Sequence, residues 1–261
     1  MKISILTATY NRGYLLPRLY ESLVNQTNSS FEWIVVDDGS TDCTESYLKD
    51  CMLIGDIDIK YTKKDNGGKH SAINLAIDIA DSDYCLLIDS DDYLKFDSVE
   101  IVLKSLVNLP ADLAGACFRC EHIDGKMSGD SVNFDFLLWK RSTPTEFKNF
   151  INADSAYVFK TVNLKKFKFP IIYGEKFFPE LYIWNQIAQN CGDIAYFYNT
   201  TVCIIEYQVD GLSSDFSKLI KNSPTAFLIY YKDIFRRETK IFNKFKYIIR
   251  ILQSFYFLLV K

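Results

Sequence analysis

Four short polar clusters in the N-terminal part of the chain carry residue types suited to holding a phosphate, a metal ion or a nucleoside. Asp89-Ser90-Asp91-Asp92 directly follows the apolar run Tyr84-Cys85-Leu86-Leu87-Ile88. Carboxylates crowded at one strand end repel one another unless a cation sits among them, and Mg²⁺ typically takes one or two carboxylates together with substrate phosphates. The plainer reading is an acidic turn that caps the following helix. Ile34-Val35-Val36-Asp37-Asp38-Gly39-Ser40-Thr41-Asp42 places acceptors where a ribose or a base N–H could donate to them. In Thr7-Ala8-Thr9-Tyr10-Asn11-Arg12, Tyr10 could stack on a base and Arg12 could meet a diphosphate. In Gly67-Gly68-Lys69-His70, the glycine pair allows close backbone approach and Lys69 or His70 could reach the diphosphate. The glycine spacing of a P-loop is absent.

The elements needed to position these clusters are legible nearby. Apolar runs at 3–8, 31–36, 57–61 and 84–88 read as buried strands. Between them, Leu15, Leu16, Leu19 and Leu23 recur at helical spacing, Ser40 or Thr41 can cap a second helix, and 71–80 reads as a third. This rhythm implies βαβ units and a parallel sheet, in which ligands bind beyond the carboxyl ends of the strands. The second half is less regular. Strands are expected at 114–118, 156–159, around Tyr196 and at 202–207, and a helix at 180–190 with Leu181, Trp184, Ile187 and Ala188 on one face. The stretch 131–140 holds Phe134, Phe136, Leu137 and Trp139. Trp184 and most of the 20 Phe and 17 Tyr are expected to be core and not sugar platforms.

Composition excludes several classes. The 261 residues are 48% hydrophobic and 24% charged, an ordinary globular balance. A net charge of -3 offers no basic excess for nucleic acid. No apolar run approaches the ~18 residues of a membrane span, and the apolar start at Ile3 soon meets Asn11 and Arg12, unlike a signal peptide. Cys117-Phe118-Arg119-Cys120 is a C-x-x-C without a second pair or a paired His, so the 7 Cys read as reduced thiols of a cytoplasmic protein.

The order and common location of the four clusters resemble the family-2 glycosyltransferases, closely over residues 1 to about 100 and patchily to about 207. The resemblance implies an α/β protein of the GT-A (Rossmann-like) fold, with a mixed, mostly parallel sheet flanked by helices. The expected organisation is a catalytic domain over 1–207, with a nucleotide-sugar half at 1–110 and an acceptor half at 111–207, and a helical C-terminal extension over 208–261. It implies that Thr7, Ala8 and Tyr10 line the base, that Asp38 is the partner of the base, and that Arg12, Lys69 and His70 lie near the phosphates. The family's Asp-x-Asp matches Asp89-Ser90-Asp91, which makes Asp91 the metal ligand and gives Asp89 the ribose or the metal shell. The family also needs an acidic general base at a helix start, usually in a Glu-Asp pair. This chain departs from that pattern: Pro179 stands in place of the first acid, Glu180 falls at the place of the base, and Glu175 is the rival.

The implied reaction is inverting transfer of a sugar from a nucleotide-sugar donor, by default a UDP-sugar, to a saccharide or lipid-linked acceptor, with Mn²⁺ or Mg²⁺, in a setting such as bacterial polysaccharide or glycolipid assembly. The tail from Lys240 mixes Lys244, Lys246 and Arg250 with Phe242, Phe245, Ile249 and Leu252. It could dock on the chain's own core or make a peripheral contact with the inner face of the membrane. Two other functions use similar parts. A nucleotidyltransferase making nucleotide sugars would start with a Gly-rich basic loop, which Thr7-Ala8-Thr9-Tyr10-Asn11 is not. A catalytically silent nucleotide- or glycan-binding module would fit the missing acidic pair.

Overall fold

A computed structural model describes residues 1–130, 138–208, 211 and 215–260. Phe134, Phe136 and Leu137 lie outside the described residues. The first half alternates β1 (Ile3–Thr9), α1 (Leu16–Val24), β2 (Phe31–Asp37), α2 (Thr44–Ile54), β3 (Ile59–Lys63), α3 (Lys69–Ile79) and β4 (Tyr84–Leu87). Then come β5 (Tyr93–Leu94), α4 (Ser98–Val107), β6 (Gly115–His122), β7 (Lys140–Ser142), α5 (Pro144–Ile151), β8 (Ser155–Lys160), α6 (Thr161–Lys166), α7 (Glu180–Cys191) and β9 (Ile194–Ile205). Three helices follow: α8 (Phe216–Asn222), α9 (Pro224–Arg237) and α10 (Ile241–Leu259).

Successive strand residues point to opposite faces, and both faces of this sheet are apolar because helices cover both. Ile3, Ile5, Trp33 and Val35 pack with Leu16, Leu19 and Leu23 of α1 and with Val99 and Val102 of α4. Leu6, Ile34 and Val36 pack on the other side with Ala72, Ile73 and Ile77 of α3 and with Ile183, Trp184 and Ile187 of α7. Trp184 is thus core, 2% exposed, against Phe159 and Phe169.

β3, β2, β1 and β4 run parallel, and β8 then enters antiparallel between β4 and β6. β6 pairs parallel with β9, which carries β5 and β7 antiparallel on its other edge. The two late strands expected around Tyr196 and at 202–207 are one strand, β9; it runs through the polar Asn199-Thr200-Thr201, and its pairing with β6 shifts register beside Arg119. Cys117 and Cys120 belong to opposite faces of β6, one to each core, so they cannot share a metal.

The C-terminal helices form a third apolar cluster: Phe227, Tyr231 and Ile234 of α9 meet Phe177, Leu181 and Tyr182 on and before α7, and Tyr247 and Ile251 of α10. No helix among the described residues is long and apolar enough to cross a membrane.

Candidate active site

The carboxyl ends of β1, β2 and β4 and the N-termini of α3 and α7 converge on one edge of the sheet. The loops after β1 and β2 are stitched together. Asn11, in the left-handed region at φ 51, donates its backbone N–H to Ser40 Oγ (2.8 Å) and accepts from the Thr41 N–H (2.7 Å). Gly13 N–H donates to Asp42 (2.9 Å).

Asp38 is 3% exposed, and its carboxylate organises the next wall. It accepts from Lys64 Nζ (2.8 Å), Gly67 N (2.9 Å) and Gly68 N (2.6 Å), which fixes the turn into α3. Gly68 has φ +93, and a Cβ there would lie 2.0 Å from the Lys176 carbonyl oxygen, so only glycine fits. Through that contact the segment leading to α7 lies directly on the turn that starts α3.

Lys69, in the first turn of α3, reaches across the cleft. Its ammonium is 2.7 Å from the Asp89 carboxylate and 2.8 Å from Glu180 Oε1. Burial opposes the charge, but the two carboxylates outweigh it and hold the amine protonated well above the ordinary lysine range. Arg12 Nη1 stands 3.6 Å from Asp91 Oδ2.

Asp89, Asp91 and Asp92 offer carboxylate oxygens that all lie within 4.8 Å of one another. Burial and then the charge of Asp89 raise the proton affinity of Asp91. Burial, Asp89 and Asp91 together push the Asp92 carboxyl up to about 8. Such shifts mark carboxylates that repel one another despite Lys69 and Arg12. Hard oxygen donors this close, with negative charge in excess, fit a divalent cation. Asp92 is the member that motif matching left out. Two further residues fix the loop and were not anticipated: Arg18 of α1 pairs with Glu206 just beyond β9, donates to the Asp91 carbonyl (2.7 Å) and lies over the Tyr93 ring. Arg18 lies among the leucines of an amphipathic helix, and Glu206 just beyond a strand; neither has a local motif to mark it.

Glu180 is the first residue of α7, about one-third exposed, where a helix N-terminus favours negative charge. Glu175 is 5% exposed and accepts from Thr225 N and Ala226 N (both 2.9 Å), so it caps α9 and does not face the cleft. Three other expected residues have little access to solvent. Thr7 is buried, with its hydroxyl accepting from Trp33 Nε1 (3.0 Å). Ser90 is buried. His70 is buried beside Phe178, and burial lowers its pKa. Neighbouring helical residues point about 100° apart, and here Lys69 is the one that bridges Asp89 and Glu180. Ala8 is partly buried against the core, and Tyr10 is 47% exposed.

The family model described as "Glycosyl transferase family 2" matches residues 4–158. Glycosyltransferase GlyA of Streptococcus pneumoniae serotype 4 is 33% identical over 113 residues, covering 43% of this chain and 16% of that protein. Chondroitin synthase of Pasteurella multocida is 37% identical over 137 residues, covering 51% of this chain and 14% of that protein. The chain thus spans only a small part of these curated relatives. Among solved structures, S. aureus TarS 1-349 in complex with UDP-GlcNAc superposes with a TM-score of 0.69 at 18% identity, covering 97% of this chain and 72% of that one. The mannosyltransferase PcManGT from Pyrobaculum calidifontis, in complex with GDP-Man and Mn²⁺, superposes with a TM-score of 0.65 at 16% identity, covering 99% and 74%.

Proposed function

Because this chain belongs to glycosyl transferase family 2 and has the GT-A fold, we propose that it is a cation-dependent, inverting transferase that moves one sugar from a nucleoside-diphosphate sugar to an acceptor hydroxyl. The single observation that carries this reading is the Lys69 ammonium, held between Asp89 and Glu180. It joins the carboxylate cluster suited to a cation and phosphates to Glu180, a partly exposed carboxylate suited to act as a base.

In this reading the acceptor O–H loses its proton to Glu180 as its oxygen bonds to the anomeric carbon. The bond from that carbon to the phosphate oxygen breaks, and the nucleoside diphosphate leaves with the electron pair. One displacement inverts the centre. Asp91, Asp89 and Asp92 would hold a divalent ion, Mn²⁺ or Mg²⁺, which when bound neutralises the diphosphate. Arg12 and Lys69 add positive charge beside it. Lys69 also orients Glu180. Tyr10 offers an exposed ring to the base. Asp38 shapes that wall through the Gly67–Gly68 turn, and any bond it makes to the base uses lone pairs its three donors leave.

The donor is a nucleotide sugar, with UDP as the first to try; a solved neighbour of this fold carries UDP-GlcNAc and another GDP-Man with Mn²⁺. The acceptor is a saccharide or a lipid-linked saccharide in cytoplasmic polysaccharide or glycolipid assembly. Thermal unfolding with UDP, GDP, CDP or dTDP, each with Mn²⁺, Mg²⁺ or EDTA, tests the donor site, because a ligand bound to the folded state raises its apparent stability. A rise with one nucleotide that needs the cation and disappears in Asp91→Asn is expected. A folded protein that responds to none of the four overturns the assignment.

A further inference from the structure

α10 leaves its most apolar side uncovered. Tyr247, Ile251 and Phe257 turn inward against the α9 cluster, and Ser254 is the residue of α10 that is fully buried. Phe242, Phe245, Ile249, Leu252, Tyr256 and Leu259 are each more than half exposed. At 100° per residue these six fall within one narrow arc, so they form a continuous stripe. The helix is 19 residues, roughly 28 Å long. A stripe of that length exceeds the scattered apolar residues of an ordinary soluble surface.

The charges around the stripe indicate what covers it. Lys240, Lys244, Lys246 and Arg250 stand on this helix or at its start, and no Asp or Glu occurs from Thr239 to Lys261. Lys244 lies 5.4 Å from the Phe235 ring centre of α9 and Arg250 4.8 Å from that of Phe216 of α8, which leaves Lys240 and Lys246 as the cations to meet a surface. A second copy docked stripe to stripe would bring these cations near one another, and the facing helix has no acid of its own to pair with them. A spanning position is excluded for α10 by the three cations within it. An apolar stripe with basic flanks, on a helix docked along its opposite side, suits a helix lying in the plane of an anionic lipid surface.

We propose that the exposed face of α10 docks this chain on anionic membrane lipid. Phe257 and Val260, near the end of α10, line a cleft of about 460 Å³ with Gly174, Lys176, Phe177 and Lys221. The segment holding Gly174 to Phe177 runs directly into Glu180. The end of α10 thus adjoins the segment that leads to Glu180.

Flotation of the whole 261-residue chain with vesicles of phosphatidylcholine alone, or mixed with phosphatidylglycerol, tests docking without any donor. Flotation with the anionic vesicles only is expected. Lys240→Gln with Lys246→Gln is expected to weaken partitioning about twenty-five-fold, since each cation near such a surface is worth about five-fold. Phe245→Asp with Leu252→Asp is expected to abolish it while keeping the far-ultraviolet spectrum and the nucleotide-induced thermal shift. That retained shift separates failure of docking from failure of the donor site. Wild-type protein that stays unbound in the presence of anionic vesicles overturns the proposal, as does a stable dimer that the same Asp pair splits.

Discussion

At the scale of single residues, the cleft is a contest between carboxylates and two cations. Glu180→Gln keeps the shape and one acceptor but cannot take a proton; kcat is expected to fall by about 10²–10⁴ with little change in donor KM, measured by steady-state transfer assays. Asp92 has its own pH signature. Its carboxyl, pushed up to about 8, stays protonated in the folded chain where the unfolded chain has already released the proton. Its folded pKa lies above the unfolded one, so its contribution is fully present below the ordinary carboxylate range and is lost as pH rises to about 8. In EDTA the melting temperature is expected to decline across that window, and Asp92→Asn is expected to flatten the decline. Motif matching reached Asp89, Asp91 and Lys69 because each sits at a strand or helix end in a short recognisable run. It could not separate Lys69 from His70, or Glu180 from Glu175, because which way a side chain points is decided by helix phase and by distant partners such as Thr225 N.

At the scale of elements, one close contact seats the segment before α7 on the first half, and another ties that segment to α9. Gly68→Ala places a Cβ 2.0 Å from the Lys176 carbonyl oxygen and strains a positive φ. A loss of about 1–3 kcal/mol of stability is expected, with weaker donor binding, read from denaturant unfolding and nucleotide titration. Glu175→Ala leaves the N–H groups of Thr225 and Ala226 without their acceptor, and is expected to cost about 1–3 kcal/mol. The β-α alternation up to β4 is legible in sequence because each strand is a continuous apolar run ended by polar residues. The later part is not. β8 enters antiparallel between β4 and β6, which no local pattern announces. β9 reads as two pieces because Asn199, Thr200 and Thr201 break its apolar run, yet Thr201 Oγ1 bonds Glu121 (2.7 Å) and the strand continues. The start of α5 is written openly as a Thr143–Glu146 capping box, a signal that reading for chemistry passed over.

At the scale of the whole molecule, the expected boundary at 207 separates sequence but not structure. α9 depends on Glu175 for its cap, and its Phe227 stacks on Phe177. A fragment ending at 207 would leave the Glu175 carboxylate without these donors and expose Leu181 and Tyr182. It is expected to lack the cooperative thermal transition expected of residues 1–261, as checked by calorimetry on both. The bridge from Lys69 to Glu180 has a consequence for timing. Its two halves are far apart in the chain, and the strand that completes the sheet beside β4 lies between them. A chain leaving the ribosome therefore makes Lys69 and Asp89 well before Glu180. On the proposed transferase reading, the group that would take the acceptor's proton is the last of the three bridged residues to be made, and it comes only after the strand that completes the sheet beside β4.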